Sequence, residues 1–292
     1  LILSFRYIPK DNPVNMSEEA NMKQVRVGAV NYLNTKPLIH NLAQIAPHWH
    51  IELKVPSHLA HDLAAEKLDV ALIPVIEYFR SPNYRIIPGI SIASHGPVLS
   101  VTLFSKVPWP DIKSISLDEG SKTSVALLKI LSKQLHGIGF TSSPLPMDAD
   151  PAKVTTDGVL LIGDRAMKAC LSGFPFAYDL GGEWHDYANL PFVYAIWAVH
   201  ERVFGENLTK YFAKSKKVGI SHVADIALQE SKTLGLDAGF CRRYLSHIIQ
   251  YNLGSREIAG LELYRHLAYE NGLIEQERSI DFHDCRTFAK SH

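Results

Sequence analysis

Cysteine is scarce. Cys170, Cys241 and Cys285 are the three in 292 residues. None stands in a CxxC pair, which excludes a disulfide framework and suits reduced thiols in a cytoplasmic protein. An excess of one charge is also missing: 30 Lys plus Arg balance 30 Asp plus Glu, so there is no basic field to hold nucleic acid and no acidic tail. No apolar run reaches the roughly 18 residues of a membrane helix. The opening LILSFRYIPKDNP meets Arg6, Lys10 and Asp11 too early for the apolar core of a secretory signal. The glycines form neither GxGxxG nor a P-loop, and no GxSxG elbow occurs. The 14 histidines, His48/His50 and His58/His61 included, build no HExxH or Cys-His group. The expectation is a monomer or homodimer that takes a small molecule, without nucleic acid, membrane, metal or cofactor.

What is present is one local grammar, used repeatedly. Val25 to Leu38 (VRVGAVNYLNTKPL) reads as a buried strand, a polar loop holding Tyr32, Asn34 and Thr35, and a helix start with Pro37 in its first turn. Free backbone donors there suit a carboxylate or phosphate, or the loop is only a helix cap. The grammar returns at Ser114 (SISL, then DEGSKTS, then VALLKILSKQL), where Ser121, Thr123 and Ser124 cluster at the helix entry and Val125, Leu128, Leu131 and Leu135 mark an apolar face. It returns again at Gly158, where Asp164 follows GVLLIG as either a strand-end site group or an N-cap. Glu77, just past the strand DVALIP, is either a strand-end site carboxylate or a solvent-facing group near a helix start. Between these units SHGPVLSV sets Ser94, His95, Gly96 and Ser100 around a Gly-Pro turn. The run LPFVYAIWAVH reads as a buried strand, and beyond Glu201 the pattern is helical, with helices expected over 224–234, 239–253 and 255–274. Residues 1–23 read as a poorly ordered extension, with Met16 or Met22 as candidate starts.

YLNTKPL, SHGPVLSV, LDEGSKTSVALLK, LLIGDRAM and DLGGEWHDYANLPFVYAIWA resemble, in order and over about Val25 to Ile274, the chorismate dehydratase family of the futalosine route to menaquinone. The resemblance implies an α/β fold like the type II periplasmic binding proteins, two lobes each with a mixed sheet flanked by helices and the ligand in the cleft between them. The first lobe would comprise residues 24–105 and 191–292 and the second 106–190, with crossings at Val98 to Ser105 and Val193 to His200. The implied reaction is loss of water from chorismate to give 3-[(1-carboxyvinyl)oxy]benzoate. Two substrate carboxylates explain anion-suited loops on both lobes. Asn34 and Ser94 are then expected to be catalytic, positioning the leaving water while the enolpyruvyl carboxylate takes the C3 proton. Tyr32, Thr35, Gly96, Ser100, Ser121, Thr123, Ser124 and Asp164 are expected to bind substrate. A protein base at Asp164 or Glu77 would be repelled by the substrate unless neutralised. The competing readings are a non-catalytic small-anion binding or sensing protein of the same fold, and an enzyme of a later step in the same pathway.

Overall fold

The computed structural model describes residues 24–283 apart from Ser121 and residues 204–207. The extension read over residues 1–23, and Ser121, lie outside the described residues. Strand β1 (Arg26–Val30) is followed by two short helices, α1 (Lys36–Ile39) and α2 (Leu42–Ile45), then β2 (His50–Lys54), α3 (Pro56–Ala64), β3 (Val70–Pro74), α4 (Val75–Arg80) and the long β4 (Tyr84–Ser94). The chain then crosses to β5 (Val101–Ser105), β6 (Ser114–Asp118), α5 (Lys122–His136), β7 (Thr141–Leu145), β8 (Gly158–Ile162), α6 (Gly163–Lys168), β9 (Phe176–Asp179) and α7 (Leu180–Ala188). It returns through β10 (Phe192–His200) and closes with α8 (Leu208–Ser221), α9 (Val223–Leu234), α10 (Ala238–Arg243), β11 (Ile249–Gln250) and α11 (Ser255–Glu270).

Two mixed sheets result, ordered β11-β4-β10-β3-β1-β2 and β7-β6-β8-β5-β9. Each is built the same way. Three parallel strands run side by side, β2-β1-β3 or β7-β6-β8, and an antiparallel strand lies against the third: β10 on β3 and β5 on β8. The parallel strands beside those partners are buried on both faces, as in VALIP of β3 and GVLLI of β8. β7 is an exposed edge strand and carries Pro144, which a central strand would not tolerate.

The pairing corrects one expected boundary. Val101–Ser105 is expected in the first lobe, yet all five residues pair with β8, so β5 belongs to the second sheet and the first crossing runs through residues 95–100. An apolar alternation reports that a strand is half-buried, and it carries no information on which sheet receives it. The helix expected over 239–253 is also broken: α10 ends at Arg243, a π-helical turn spans Tyr244–Ile248, and β11 pairs with β4 at Ser94 and Ala93.

The lobes are packed together. α5 of the second lobe lies against α4 and α11 of the first as well as α7. Leu127, Leu128, Ile130 and Leu131 are therefore all buried, a wider face than the expected stripe, while Leu135 is exposed. Each such side chain contributes about 2 kcal/mol. α11 also docks tightly on the second crossing, because a Cβ on Gly260 would sit 2.1 Å from the Pro191 carbonyl oxygen. Among the described residues no helix is long and apolar enough to cross a membrane.

Candidate active site

A cleft opens between the lobes at the carboxyl ends of the parallel strands, the position where α/β sheets hold ligands. Its floor is apolar: Leu72, Ile73 and Pro74 from β3, Ile92 from β4, Val98 from the first crossing, Val101 from β5 and Ile162 from β8. Its polar wall comes from both lobes. Tyr32, Asn34 and Thr35 face Lys122, Thr123 and Ser124, with Ser100 and Tyr194 from the two crossing segments. Of the expected site residues, Tyr32, Asn34, Thr35, Ser100, Thr123 and Ser124 stand together on this wall. Ser94, Gly96 and Asp164 do not.

The helix behind Asn34 is shorter than the sequence suggests. Leu33–Thr35 form a 3-10 turn, α1 has four residues, and neither Asn34 nor Thr35 makes a side-chain cap. The loop therefore presents side chains rather than a helix end. Asn34 Nδ2 donates to the Tyr244 hydroxyl at 3.4 Å, and the Thr35 hydroxyl donates to Asn34 Oδ1 at 3.4 Å. α5 is a full helix of 15 residues whose first turn carries Lys122, Thr123 and Ser124.

Hydroxyl protons on the wall can be assigned from the bonds they make. Ser94 is 1% exposed and donates to the Gly96 carbonyl at 3.0 Å. The 3.0 Å contact between Ser94 Oγ and the Tyr194 hydroxyl therefore has Tyr194 as donor. Burial, and secondarily Asp179, raises the Tyr194 pKa, so the phenol keeps that proton and presents lone pairs to the cleft. The expected role of Ser94 is thus corrected: its hydroxyl is spent behind Tyr194. Gly96 supplies the carbonyl for that bond at φ +99° and sits off the wall. Ser100 is the serine that faces the cleft, and it accepts a 2.8 Å hydrogen bond from Tyr244.

Several bonds hold the lobes shut around this space. The Leu33 N–H donates to Asp164 Oδ1 at 3.1 Å, so Asp164 is neither N-cap nor wall group but a tie between lobes. Burial raises its pKa, opposed by that bond. The Ile76 N–H donates to Thr123 Oγ1 at 3.3 Å, and the Tyr264 hydroxyl donates to the Thr123 carbonyl at 3.1 Å. Lys122 reaches Glu77 at 3.2 Å, and Glu77 also pairs with Arg80 at 2.8 Å. The Tyr32 ring fills the seam: a Cβ on Gly163, which has φ +60°, would lie 3.2 Å from it, and one on Gly120 would lie 3.4 Å from its hydroxyl. Burial, then the carboxylates Asp118 and Asp164, raises the Tyr32 pKa, and the phenol stays neutral.

The wall holds no Asp, Glu or His among the described residues, and Lys122 is its cation. Asp118 lies behind it, its pKa raised by burial against the Gly120 N–H and Arg165, which is 3.4 Å away. Lys122, Tyr194, Tyr244 and Asp179 escaped the sequence reading. Asp179 accepts from the N–H groups of Val98, Leu99, Gly181 and Gly182, pinning the first crossing to the start of α7. Its N-cap position before Gly-Gly was a visible signal. Tyr194 was hidden in an apolar run that reads as core.

Two lobes closed over a cleft between crossing strands define the periplasmic-binding-protein fold, and the periplasmic aliphatic sulphonate binding protein of Escherichia coli shares it at TM-score 0.59 and 17% identity, over 89% of this chain and 91% of that one. Within that fold the chain belongs to the family described as menaquinone biosynthesis, whose model matches residues 25–270. A Thermus thermophilus protein named chorismate dehydratase is 28% identical over 262 residues, 83% of this chain and 94% of its own. A Campylobacter jejuni protein of the same name is 29% identical over 244 residues, 81% and 94%.

Proposed function

We propose that the protein is a chorismate dehydratase, a hydro-lyase that eliminates water from chorismate to give 3-[(1-carboxyvinyl)oxy]benzoate in the futalosine route to menaquinone. The observation that carries the reading is a closed cleft with a neutral hydrogen-bonding wall and one lysine, in a chain whose relatives bear that name. Such a wall accepts a dianionic substrate without the repulsion a second carboxylate would add. Ser124, whose hydroxyl makes no other bond among the described residues, and Lys122, in exchange for Glu77, are the groups suited to the substrate carboxylates.

In this reading the C3 proton passes to the enolpyruvyl carboxylate of the substrate and the C4 hydroxyl departs as hydroxide. The two combine as water, and the ring becomes aromatic. The protein's part is orientation and donation to the departing oxygen. Asn34 and Ser100 are the wall groups able to do that; Ser100 takes the place first given to Ser94. Free thiols at Cys170 and Cys241 suit a cytoplasmic site of action.

The test is to incubate the purified protein with chorismate and follow the cyclohexadiene absorbance and the product mass. Loss of the absorbance with appearance of a benzoate lighter by one water is the expected result. Thermal stabilisation by chorismate without product would replace the enzyme by a binding protein of the same fold.

A further inference from the structure

Tyr244 comes from a π-helical turn in the run of C-terminal helices. Asp237 caps α10 by accepting from the Phe240 N–H at 2.7 Å. Seven residues after that cap the helix widens into the π turn Tyr244–Ile248 before β11 joins the first sheet. Such turns re-aim a side chain without ending the helix. Here the re-aimed ring is 1% exposed, and its hydroxyl lies between two groups of the cleft wall. It accepts from Asn34 Nδ2 at 3.4 Å and donates to Ser100 Oγ at 2.8 Å.

A phenol has one proton, and in this arrangement it is given to Ser100. Burial raises the Tyr244 pKa, so that proton stays on the ring oxygen. Ser100 Oγ, already an acceptor, keeps its own hydrogen free, and among the described residues no other bond to that hydroxyl is made. The free hydrogen belongs to a residue on the cleft wall. On the other side, the Asn34 amide nitrogen points at Tyr244 and its oxygen takes the Thr35 hydroxyl. The orientation of the amide is thereby set. Ser100 immediately precedes β5 of the second sheet, whereas Tyr244 and Asn34 belong to the first lobe. The arrangement is complete when the lobes are together.

We propose that Tyr244 is a positioning residue for the dehydration, its hydroxyl occupying the acceptor side of Ser100 so that Ser100 turns its own hydrogen toward the cleft. This rests on the dehydratase reading, and Tyr244 itself sits behind the wall, out of reach of substrate. Two features distinguish the role from packing. Tyr244→Phe keeps the ring and removes only the hydroxyl, and its effect must vanish when Ser100 has no hydroxyl to orient.

The experiment is a double-mutant cycle on chorismate turnover with wild type, Tyr244→Phe, Ser100→Ala and the double variant. Tyr244→Phe is expected to lower kcat about tenfold or more while KM stays within about threefold, and to add less than about twofold in the Ser100→Ala background. Wild-type kcat in Tyr244→Phe, or an equal loss in both backgrounds, overturns the proposal. The wild-type arm separates the two claims. Absence of any turnover by wild type overturns the dehydratase reading and this role with it, whereas wild-type turnover with an unaffected Tyr244→Phe overturns the role alone.

Discussion

One proton decides what Tyr194 offers the cleft. Because Ser94 has given its hydrogen to Gly96, Tyr194 must give its own to Ser94, and only its lone pairs remain for a ligand. Chorismate brings a hydroxyl, and an acceptor on the wall would bind it in the ground state. Tyr194→Phe is therefore expected to raise the chorismate KM about five- to tenfold and to cost about 1 kcal/mol of stability, since Ser94 then loses a donor. Steady-state kinetics beside thermal denaturation reads both; an unchanged KM removes Tyr194 from the binding surface. Asn34, Thr35 and Ser100 were legible in the sequence because polar side chains in a loop after a buried strand have few reasons to be there except a cap or a ligand. Tyr194 was not, because an aromatic in an apolar run has every reason to be core. Ser94 and Ser100 looked alike in SHGPVLSV, and only the partner of each hydroxyl tells them apart.

Among the elements, β3 and the end of β10 are fastened by one carboxylate. Asp69 accepts from Arg26 Nε at 3.0 Å and from Arg202 at 2.7 Å, and its side chain is 5% exposed. It also takes the Arg26 N–H at 2.8 Å. Burial alone would raise its pKa, but the Arg26 bonds and the two guanidinium charges outweigh it and hold the carboxyl below the usual range. The folded state therefore binds fewer protons than the unfolded chain between the ordinary carboxylate value, about 3.9, and the lower folded one. The stabilisation is full above that window and is lost as pH falls through the folded pKa. Asp69→Asn is expected to cost about 2 kcal/mol near neutral pH, less than a fully buried pair because both arginines reach solvent. In denaturant titrations the gap between variant and wild type should narrow at about pH 3; a gap of constant size would show that the charge is not what Asp69 supplies. At this scale the strand-loop-helix units could be read from apolar periodicity. The break of the 239–253 helix into a π turn and a strand could not, since β11 exists only where β4 offers it a free edge.

For the whole molecule, the order of elements was legible and the assignment of one strand to its lobe was not. β5 and β10 are both apolar, and the sheet each joins depends on the third parallel strand that waits for it, β8 or β3. The bonds that close the cleft were equally out of reach: Asp164 on the Leu33 N–H, Thr123 on the Ile76 N–H, and Tyr244 on Ser100 join residues more than 40 positions apart. Asp164 was noticed for its place at a strand end, and what it does there depends on the other lobe. Closure brings Asn34 of the first lobe and Ser100 of the first crossing onto one wall, and the central claim is that water leaves chorismate at that wall. The most direct measurement is turnover of chorismate by wild type and by Asn34→Ala and Ser100→Ala, with thermal stabilisation by chorismate recorded on the same samples. The account predicts conversion by wild type, a fall in kcat of about a hundredfold in each variant, and retained stabilisation by the ligand. Wild-type kcat in both variants would contradict it and move the chemistry away from this cleft.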